Sequence, residues 1–595
     1  MKTMEADVIV VAAGPAGLAA AITAGENDLK AIVFEKSNTT GGAANMGMGP
    51  LGIGTKYQKK AFCDITVDEA LNKHMEYTHY RVDSDLVQTY FNKSADTIEW
   101  LEDMGVEFAG AFRYFRESEA TWHIVKPENG VIGPRAAGPM VRAMTEKAKE
   151  LGAEIYLETP ATGLIMEDGK CVGVKAVDKN GEEIEARGKA VVVATGGFGT
   201  NKEMIKENFG YDLWENYFPF NVPGTTGDGL NMMWDAGAQK FGANIEMIYQ
   251  LKDNMNWFLL DAVLRQPNLL INQNGDRFMN EGTWVQGKSM NVMHQTGNVA
   301  WSIFDADYGK YNRMSLENGT GGGMFWDTMS AAIGQEFTDD DVTSIVESDI
   351  AVGNTVKADS IEELAALIGA PADVLQETID RYNELVAKGA DDDFHKPADF
   401  LYPVVKAPFY AAKVGVALLA VVGGLSVNTD LQVLDDEKKP IEGLYATGNT
   451  SGDLYAIDYP INMAGNSNGR CVIWGYLLGK TMAKATASGE ALTSRDELAD
   501  LAKDENGIVA SDTVYKDGSY TGTGKGRGGN MEVTVTITDG KISDIVVNSH
   551  AESSDIGAPA LDKLIQNAIA ANSAEIDGFP VATNAFNKSF CASGI

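Results

Sequence analysis

Residues 7–35 constrain the fold more than any other stretch of this sequence. DVIVV (7–11) is a short β-branched run, the pattern of a buried parallel strand. It leads into Ala12-Ala13-Gly14-Pro15-Ala16-Gly17 and then LAAAITAG, a good helix former. A second apolar run, AIVF (31–34), ends on Glu35. Strand, tight turn, helix, strand and acid in that order predict a dinucleotide-binding unit. Gly14 lets the backbone approach a pyrophosphate, and Gly17 lets the helix pack against the strand. The helix N-terminus offers unpaired N–H groups and a positive dipole end to phosphates. Glu35, 18 residues past Gly17, can accept hydrogen bonds from ribose hydroxyls. Ala12 stands where this fingerprint usually carries its first glycine.

The rest of the composition bounds what surrounds that unit. A length of 595 residues predicts two to four domains. With 49 Lys and Arg against 84 Asp and Glu, the net charge is −35. Such an acidic surface repels phosphate backbones and anionic headgroups, so neither nucleic acid nor a membrane surface is an expected partner. Cys63, Cys171, Cys471 and Cys591 form no CxxC pair, and the six histidines form no HExxH pattern, so no metal site is expected. Scattered thiols, no visible export signal and no apolar run long enough to span a bilayer predict a cytoplasmic protein.

Two later segments point to FAD. GGAANMGMGPLGIG (41–54) resembles the double-glycine segment that runs beside the flavin in flavoproteins, and AVVVATGGFG (190–199) resembles a returning strand of FAD-dependent oxidoreductases. PGTTGDGLNMMWDAGA (223–238), INQNGDRFMNE (271–281), GGLSVNTDLQVLD (423–435) and IEGLYATGNTSGD (441–453) follow in order. With them the chain resembles the fumarate reductase/succinate dehydrogenase flavoprotein superfamily. The resemblance implies an α/β fold, a discontinuous Rossmann-like FAD domain with an α+β capping domain. Its parts would be the FAD domain at 1–247 and 403–490 and the cap at 248–402. It also implies FAD contacts from Ala13, Gly14, Pro15, Ala16, Gly17, Glu35, Lys36, Gly41, Gly42, Ala43, Gly47, Met48 and Gly49. Further contacts would come from Ala161, Ala194, Thr195, Gly196, Asn201, Asp228, Gly448, Asn449, Ser467 and Asn468.

The chain departs from the dicarboxylate-binding members of that superfamily. Their proton-donating arginine falls near Val285, their late arginine at Asn462, and their histidine within the apolar run Leu418–Val422. Two carboxylates in a closed pocket need charged partners, so a neutral substrate is expected. Tyr445-Ala-Thr-Gly-Asn-Thr, Asp458-Tyr459-Pro460 and Trp474-Gly-Tyr476 resemble 3-ketosteroid dehydrogenases instead. There a tyrosine hydroxyl and a backbone N–H four residues on bind the substrate ketone. The matching positions are Tyr459 and Met463, the latter a glycine in that family. A phenol and an amide aimed at a carbonyl oxygen stabilise the enolate formed when hydride adds to the β-carbon. For the proton at the α-carbon, Tyr249, Arg265, Tyr402 and Tyr410 are the candidates at the cap edges, with Arg265 nearest the family's relay position.

Beyond a helical linker (491–510), residues 511–595 read as a small α+β module. DGSYTGTGKGRGGNMEVTVTITDGKISDIVV (517–547) alternates, with a DG turn at 539–540, and a helix is expected around 558–572. The module resembles an FMN-binding domain in which a threonine is esterified to FMN phosphate. Thr583 is the matching residue, with Pro580-Val581 where the family has Ser-Gly. FMN esterified at Thr583, FMN bound without a covalent link, and a module that carries no flavin all remain open at this point.

The expectation is therefore a flavin-dependent reductase of a C=C bond conjugated to a ketone: a 3-oxo-Δ4 steroid, a bile-acid intermediate or a similar enone. A reduced flavin or redox partner would supply electrons. The alternatives are a ketosteroid-type dehydrogenase running in reverse, and an aryl acrylate reductase.

Overall fold

A computed structural model describes residues 1–114, 118–128, 136–213, 217–219, 222–251, 268–283, 285–311, 314, 339–455, 459–488, 514–525, 530–549, 565–566, 568–569 and 572–573. The chain divides into two compact units. One comprises Met1–Ile53 and Val67–Thr493, the other Gly54–Thr66 and Ser494–Ile595.

The first unit is built around a six-stranded sheet. Its centre comprises Val8–Val11 (β1), Ala31–Phe34 (β2) and Ala190–Val193 (β3), every residue of which is buried. β1 pairs in parallel with both β2 and β3. Runs that are apolar throughout are what a parallel sheet covered on both faces requires. Pro15–Glu26 (α1) crosses between β1 and β2, starting with proline at its first turn, where a missing N–H costs nothing. Outside β3, Pro440–Ala446 (labelled β5 below) extends the sheet, and Glu154–Tyr156 closes the other edge beside β2. A four-stranded sheet, ordered Lys2–Glu5, Glu183–Arg187, Lys170–Val177 and Ala161–Glu167, lies on the same chain path.

A third sheet links the cofactor unit to the region expected to cap it. Val285–Met293 (α2) precedes its strand Val299–Phe304, and its spine is Phe409–Leu425 (β4). The first part of β4 pairs with Thr355–Ala358 and Val299–Phe304, and the later part with Lys240–Leu251. One 17-residue strand thus serves both regions. Residues 360–388 carry two helices, Ile361–Ile368 and Ala372–Lys388, each stopped by a left-handed glycine, Gly369 and Gly389. They cover a core of Leu269, Ile271, Ile303, Leu364, Leu375 and Ile379.

The last long helix, Asn466–Ser488 (α3), packs on α1. The contact needs glycine. A Cβ at Gly475 would lie 2.4 Å from the Ala19 Cβ, and one at Gly479 2.3 Å from the Thr23 Cβ. Close approach lets the Thr23 hydroxyl donate to the Gly475 carbonyl at 3.0 Å. β5, the Pro440–Ala446 strand, feeds into α3 through the 447–465 loops.

In the second unit Gly518–Lys525, Asn530–Thr538 and Lys541–Ser549 form an antiparallel sheet. Asp539 and Gly540 turn its second hairpin with φ of 54° and 76°, the positive pair an Asp-Gly turn supplies. The linker and most of the helix expected at 558–572 lie outside the described residues.

Candidate cofactor site

The carboxyl ends of β1, β2 and β3 open into one cleft, with about 1240 Å³ of empty space counting its mouth. In an open α/β sheet this is where ligands bind. The first turn sets its floor. Ala12 has φ of 83°, a left-handed conformation that costs a residue with a Cβ about 1–2 kcal/mol. The turn keeps the fingerprint's geometry without its first glycine. Gly14 and Gly17 then differ in a telling way. A Cβ at Gly17 would sit 2.0 Å from the Ala12 carbonyl oxygen, whereas one at Gly14 would meet nothing within 4 Å. Gly17 is needed by the protein, and Gly14 faces empty cleft. No side chain caps α1, so its first N–H groups are left for a ligand.

Glu35 is 6% exposed at the end of β2. Its carboxylate accepts from the Ala13 N–H at 2.7 Å and from the Ser37 N–H at 2.8 Å. Lys36 reaches across to Asp228 and Thr226, each at 2.6 Å. The 222–228 loop is also tied down by Asn201, which donates to the Thr226 carbonyl at 2.9 Å while capping the helix Lys202–Phe209. Gly41 donates its N–H to the Ala13 carbonyl at 2.7 Å, which seats the second glycine segment on the first turn.

Of the residues expected at the cofactor, Gly14, Pro15, Ala16, Glu35, Lys36, Gly42, Ala43, Ala161, Ala194, Thr195, Gly196, Asp228, Asn449, Ser467 and Asn468 line the cleft. Ala13, Gly17, Gly41, Asn201 and Gly448 stand behind the lining and hold it in place. A Cβ at Gly448, for example, would lie 2.7 Å from that of Ala16. Gly47, Met48 and Gly49 form a strut beside Asn468, with Met48 in a small apolar cluster with Phe112 and Ile124. Sequence reasoning missed Ser37, Val222, Pro223, Gly224, Thr225, Met232 and Cys471, which also line the cleft. The PGTTGDG motif was the signal for the loop among them. Leu418, Leu419, Ala420 and Val421 line it as well, so the apolar run takes part in the wall.

The chemistry at the far end gathers before α3. Asn449 donates to the Ser467 hydroxyl at 2.6 Å. The Ser467 N–H donates to the Tyr459 hydroxyl at 2.5 Å, which places Tyr459 one hydrogen bond from the cleft wall. Tyr459 is 5% exposed, and its ring packs on Tyr455 with centroids 5.3 Å apart. Met463 is fully buried and lies outside the cleft lining. The segment carrying both is pinned. Asn466 donates to the Pro460 and Met463 carbonyls, Thr121 to Ala464 at 2.9 Å, and the N–H groups of Glu119 and Leu51 to Asn462 and Gly465 at 2.9 Å each. From α2, Gln286 donates to the Tyr459 carbonyl at 3.1 Å. Arg265, Asp458 and Thr583 lie outside the described residues, as does the side chain of Tyr249. Tyr402 stacks on Tyr311 at 5.4 Å and Tyr410 on Phe304 at 5.1 Å, and neither lines the cleft. Burial pushes the Tyr410 hydroxyl above its ordinary pKa, against a role as an acid.

The cleft fits a flavin dinucleotide. Besides the open face of Gly14, the Thr195 hydroxyl and the Asn449 Oδ1 are buried in its wall without a partner among the described residues. Buried polar atoms are rarely left so unless a ligand completes them.

Comparison with known proteins agrees with this geometry. The model of the FAD-binding domain family matches residues 7–462, and that of the FMN-binding domain family matches residues 526–588. The vinyl phenol reductase of Lactiplantibacillus plantarum is 31% identical over 495 residues, covering 81% of this chain and 96% of that protein. The open conformation of a flavocytochrome c3 fumarate reductase superposes with a TM-score of 0.63 at 26% identity, over 81% of this chain and 79% of that one. A 3-ketosteroid-Δ4-(5α)-dehydrogenase from Rhodococcus jostii shares the fold, with a TM-score of 0.61 at 23% identity over 81% of this chain and 97% of that one. The chain belongs to the FAD-binding family of flavin-dependent oxidoreductases in which fumarate reductases and 3-ketosteroid dehydrogenases are structural neighbours, and it carries an FMN-binding domain besides.

Proposed function

We propose that this enzyme reduces a carbon–carbon double bond conjugated to a neutral oxygen function, an enone or a vinyl phenol, with Tyr459 holding the oxygen. The observation that carries this reading is the Tyr459 hydroxyl, fixed 2.5 Å from the Ser467 N–H at the cleft wall. Accepting that N–H at a helix N-terminus polarises the phenol and makes it a better donor to an oxygen that gains negative charge. Bound FAD supplies the hydride. The protein's part is to hold the oxygen, align the alkene and keep water out, and the apolar Leu418–Val421 wall serves that last task.

Charge supports a neutral substrate. Lys36 is the one cation among the described residues of the cleft lining, and it is paired with Asp228 at 2.6 Å. That wall belongs to the cofactor; toward the substrate, Val285, Asn462 and the apolar Leu418–Val422 run stand where the dicarboxylate-binding members of the superfamily carry charge. Among enones, a 3-oxo-Δ4 steroid or bile-acid intermediate suits an apolar wall. The FMN-binding domain favours reduction over the reverse dehydrogenation, since a second flavin is a natural entry point for electrons from a reduced flavin or redox partner. Tyr459→Phe is expected to lower kcat/KM for alkene reduction about 10²-fold while FAD content stays that of wild type. Unchanged turnover in stopped-flow reoxidation would remove Tyr459 from the chemistry.

A further inference from the structure

Arg470, on α3, is only 1% exposed and makes no ion pair among the described residues. Its guanidinium donates instead to neutral oxygens: the Ser451 carbonyl, the Ser451 hydroxyl at 3.1 Å and the Gly452 carbonyl at 3.0 Å. Its Nε is buried without a partner among the described residues. The side chains around it add no opposing charge. The guanidinium carbon lies 5.0 Å from the centre of the Tyr455 ring, and the buried Tyr90 and His74 stand near it. Burial pushes His74 down to about 4, so that ring is neutral. Asp453 is the carboxylate that acts on Arg470, from beyond ion-pair distance, and it accepts from the Ser426 hydroxyl at 2.8 Å. Burying a guanidinium opposite no acid is costly, and bonds to neutral oxygens recover only part of that cost. Such a breach of the usual rule marks a functional position more often than a merely structural one.

The place of Arg470 in the fold supplies the function. Asn468 and Cys471, beside it on α3, line the FAD cleft, as does Ser467. The Ser451 and Gly452 carbonyls that it holds follow closely on Asn449, another lining residue. The Tyr455 ring that it touches packs in turn on Tyr459. The charge therefore sits one layer of side chains behind the cleft wall, away from the solvent that would screen it. We propose that Arg470 tunes the bound FAD through its charge, as an unopposed buried cation that favours negative charge on the flavin ring. Oxidised flavin that takes up two electrons and one proton becomes an anion, with its charge over N1 and the C2 oxygen. A fixed cation behind the wall stabilises that anion and raises the affinity of the flavin for electrons from its donor.

Sulfite reads this charge without any alkene turning over. Its lone pair forms a bond to flavin N5, the ring takes up the negative charge, and the flavin band bleaches. Full-length holoprotein, wild type and variants, is titrated with sulfite at pH 8, with FAD content and melting temperature checked. Arg470→Gln keeps a donor for the Ser451 carbonyl and loses the charge, and it is expected to bind sulfite at least about tenfold more weakly. Arg470→Lys keeps the charge and is expected to stay within about threefold of wild type. Asp453→Asn leaves Arg470 and its bonds in place, suits the left-handed backbone at φ of 62°, and removes the opposing acid. It is expected to bind sulfite more tightly than wild type. Midpoint potentials from dye-linked reduction must fall in the same order, lowest for Arg470→Gln and highest for Asp453→Asn. The FMN-binding domain is the same in every variant and drops out of the differences. Equal values for Arg470→Gln and Arg470→Lys, or for Asp453→Asn and wild type, would mean that Arg470 only ties the loop in place, and either result overturns the proposal. Asp453→Asn decides even where the Arg470 variants fail to fold.

Discussion

Gly14 and Gly17 show how far single residues could be read and where physics separates them. The fingerprint's spacing assigned Gly14 to the approach of a pyrophosphate and Gly17 to helix packing, and the resemblance implied FAD contacts from both. Only Gly14 faces the cleft, while Gly17 is enclosed by the Ala12 carbonyl 2.0 Å from where a Cβ would stand. Gly14 has φ of −68°, which alanine tolerates. Gly14→Ala is therefore expected to fold with a melting temperature close to the wild-type apoprotein, yet to bind FAD at least about tenfold more weakly, because the methyl occupies the approach of the phosphate. Gly17→Ala is expected to lose about 1–3 kcal/mol of stability in the apoprotein from overpacking. Thermal melts with and without FAD separate the two. Glu35 and the GG segment were legible because their chemistry is local to the chain. Gln286 was not. Only tertiary contact with the Tyr459 carbonyl singles it out. The pairing of Ser467 with Tyr459, eight residues apart across an irregular loop, was equally invisible.

Helices and strands were read well where periodicity and turn chemistry are local. The β-branched runs 8–11, 31–34 and 190–193, the helices within 360–388 and the Asp539-Gly540 hairpin all follow from residue type. The sharing of β4 between two regions could not be read, because pairing partners 100 residues or more away leave no mark on its own sequence. The α1–α3 contact is of the same kind. Gly475 and Gly479 look like helix-weakening residues until α1 is placed beside them. Gly479→Val is expected to destabilise the holoprotein by roughly 2–4 kcal/mol, since its branches would overlap Thr23. Because α3 also presents Ser467 and Cys471 to the cleft, FAD release should accelerate with it. A denaturant titration followed by flavin fluorescence reads both, and a variant as stable as wild type would contradict the packing described.

At the scale of the whole molecule, the region around Arg277 and Asp391 is held by buried charge as well as by its apolar core. Arg277 makes paired contacts with Glu281 (2.8 and 2.9 Å) and Asp391 (2.7 and 3.0 Å), and Lys396 lies 3.2 Å from Glu281. Burial pushes both carboxyls upward, but Lys396 and Arg277 outweigh it for Glu281. For Asp391, Arg277 and the N–H groups of Lys396 and Phe394 do the same. Both therefore sit below the ordinary carboxylate range in the folded protein. Groups depressed in this way contribute stability that is complete above their unfolded values, about pH 4, and is lost as pH falls below them. Arg277→Ala strands two buried carboxylates and is expected to cost about 3–5 kcal/mol at pH 7. The difference from wild type should narrow in denaturant titrations near pH 3. A difference that widens there would reverse the sign of this account.

The central claim is that the cleft of this FAD-binding oxidoreductase reduces a neutral, oxygen-conjugated alkene. The measurement that tests it most directly is the anaerobic reoxidation of chemically reduced full-length protein, followed at the flavin absorbance band, with neutral enones and 4-vinylphenol set against fumarate. The account predicts rapid return of oxidised flavin with a neutral alkene, formation of the saturated product, and a rate with fumarate at least about 10²-fold lower, since Val285 and Asn462 stand where the dicarboxylate-binding members of the superfamily carry arginine. Fumarate reoxidising the flavin as fast as the best neutral alkene would contradict it.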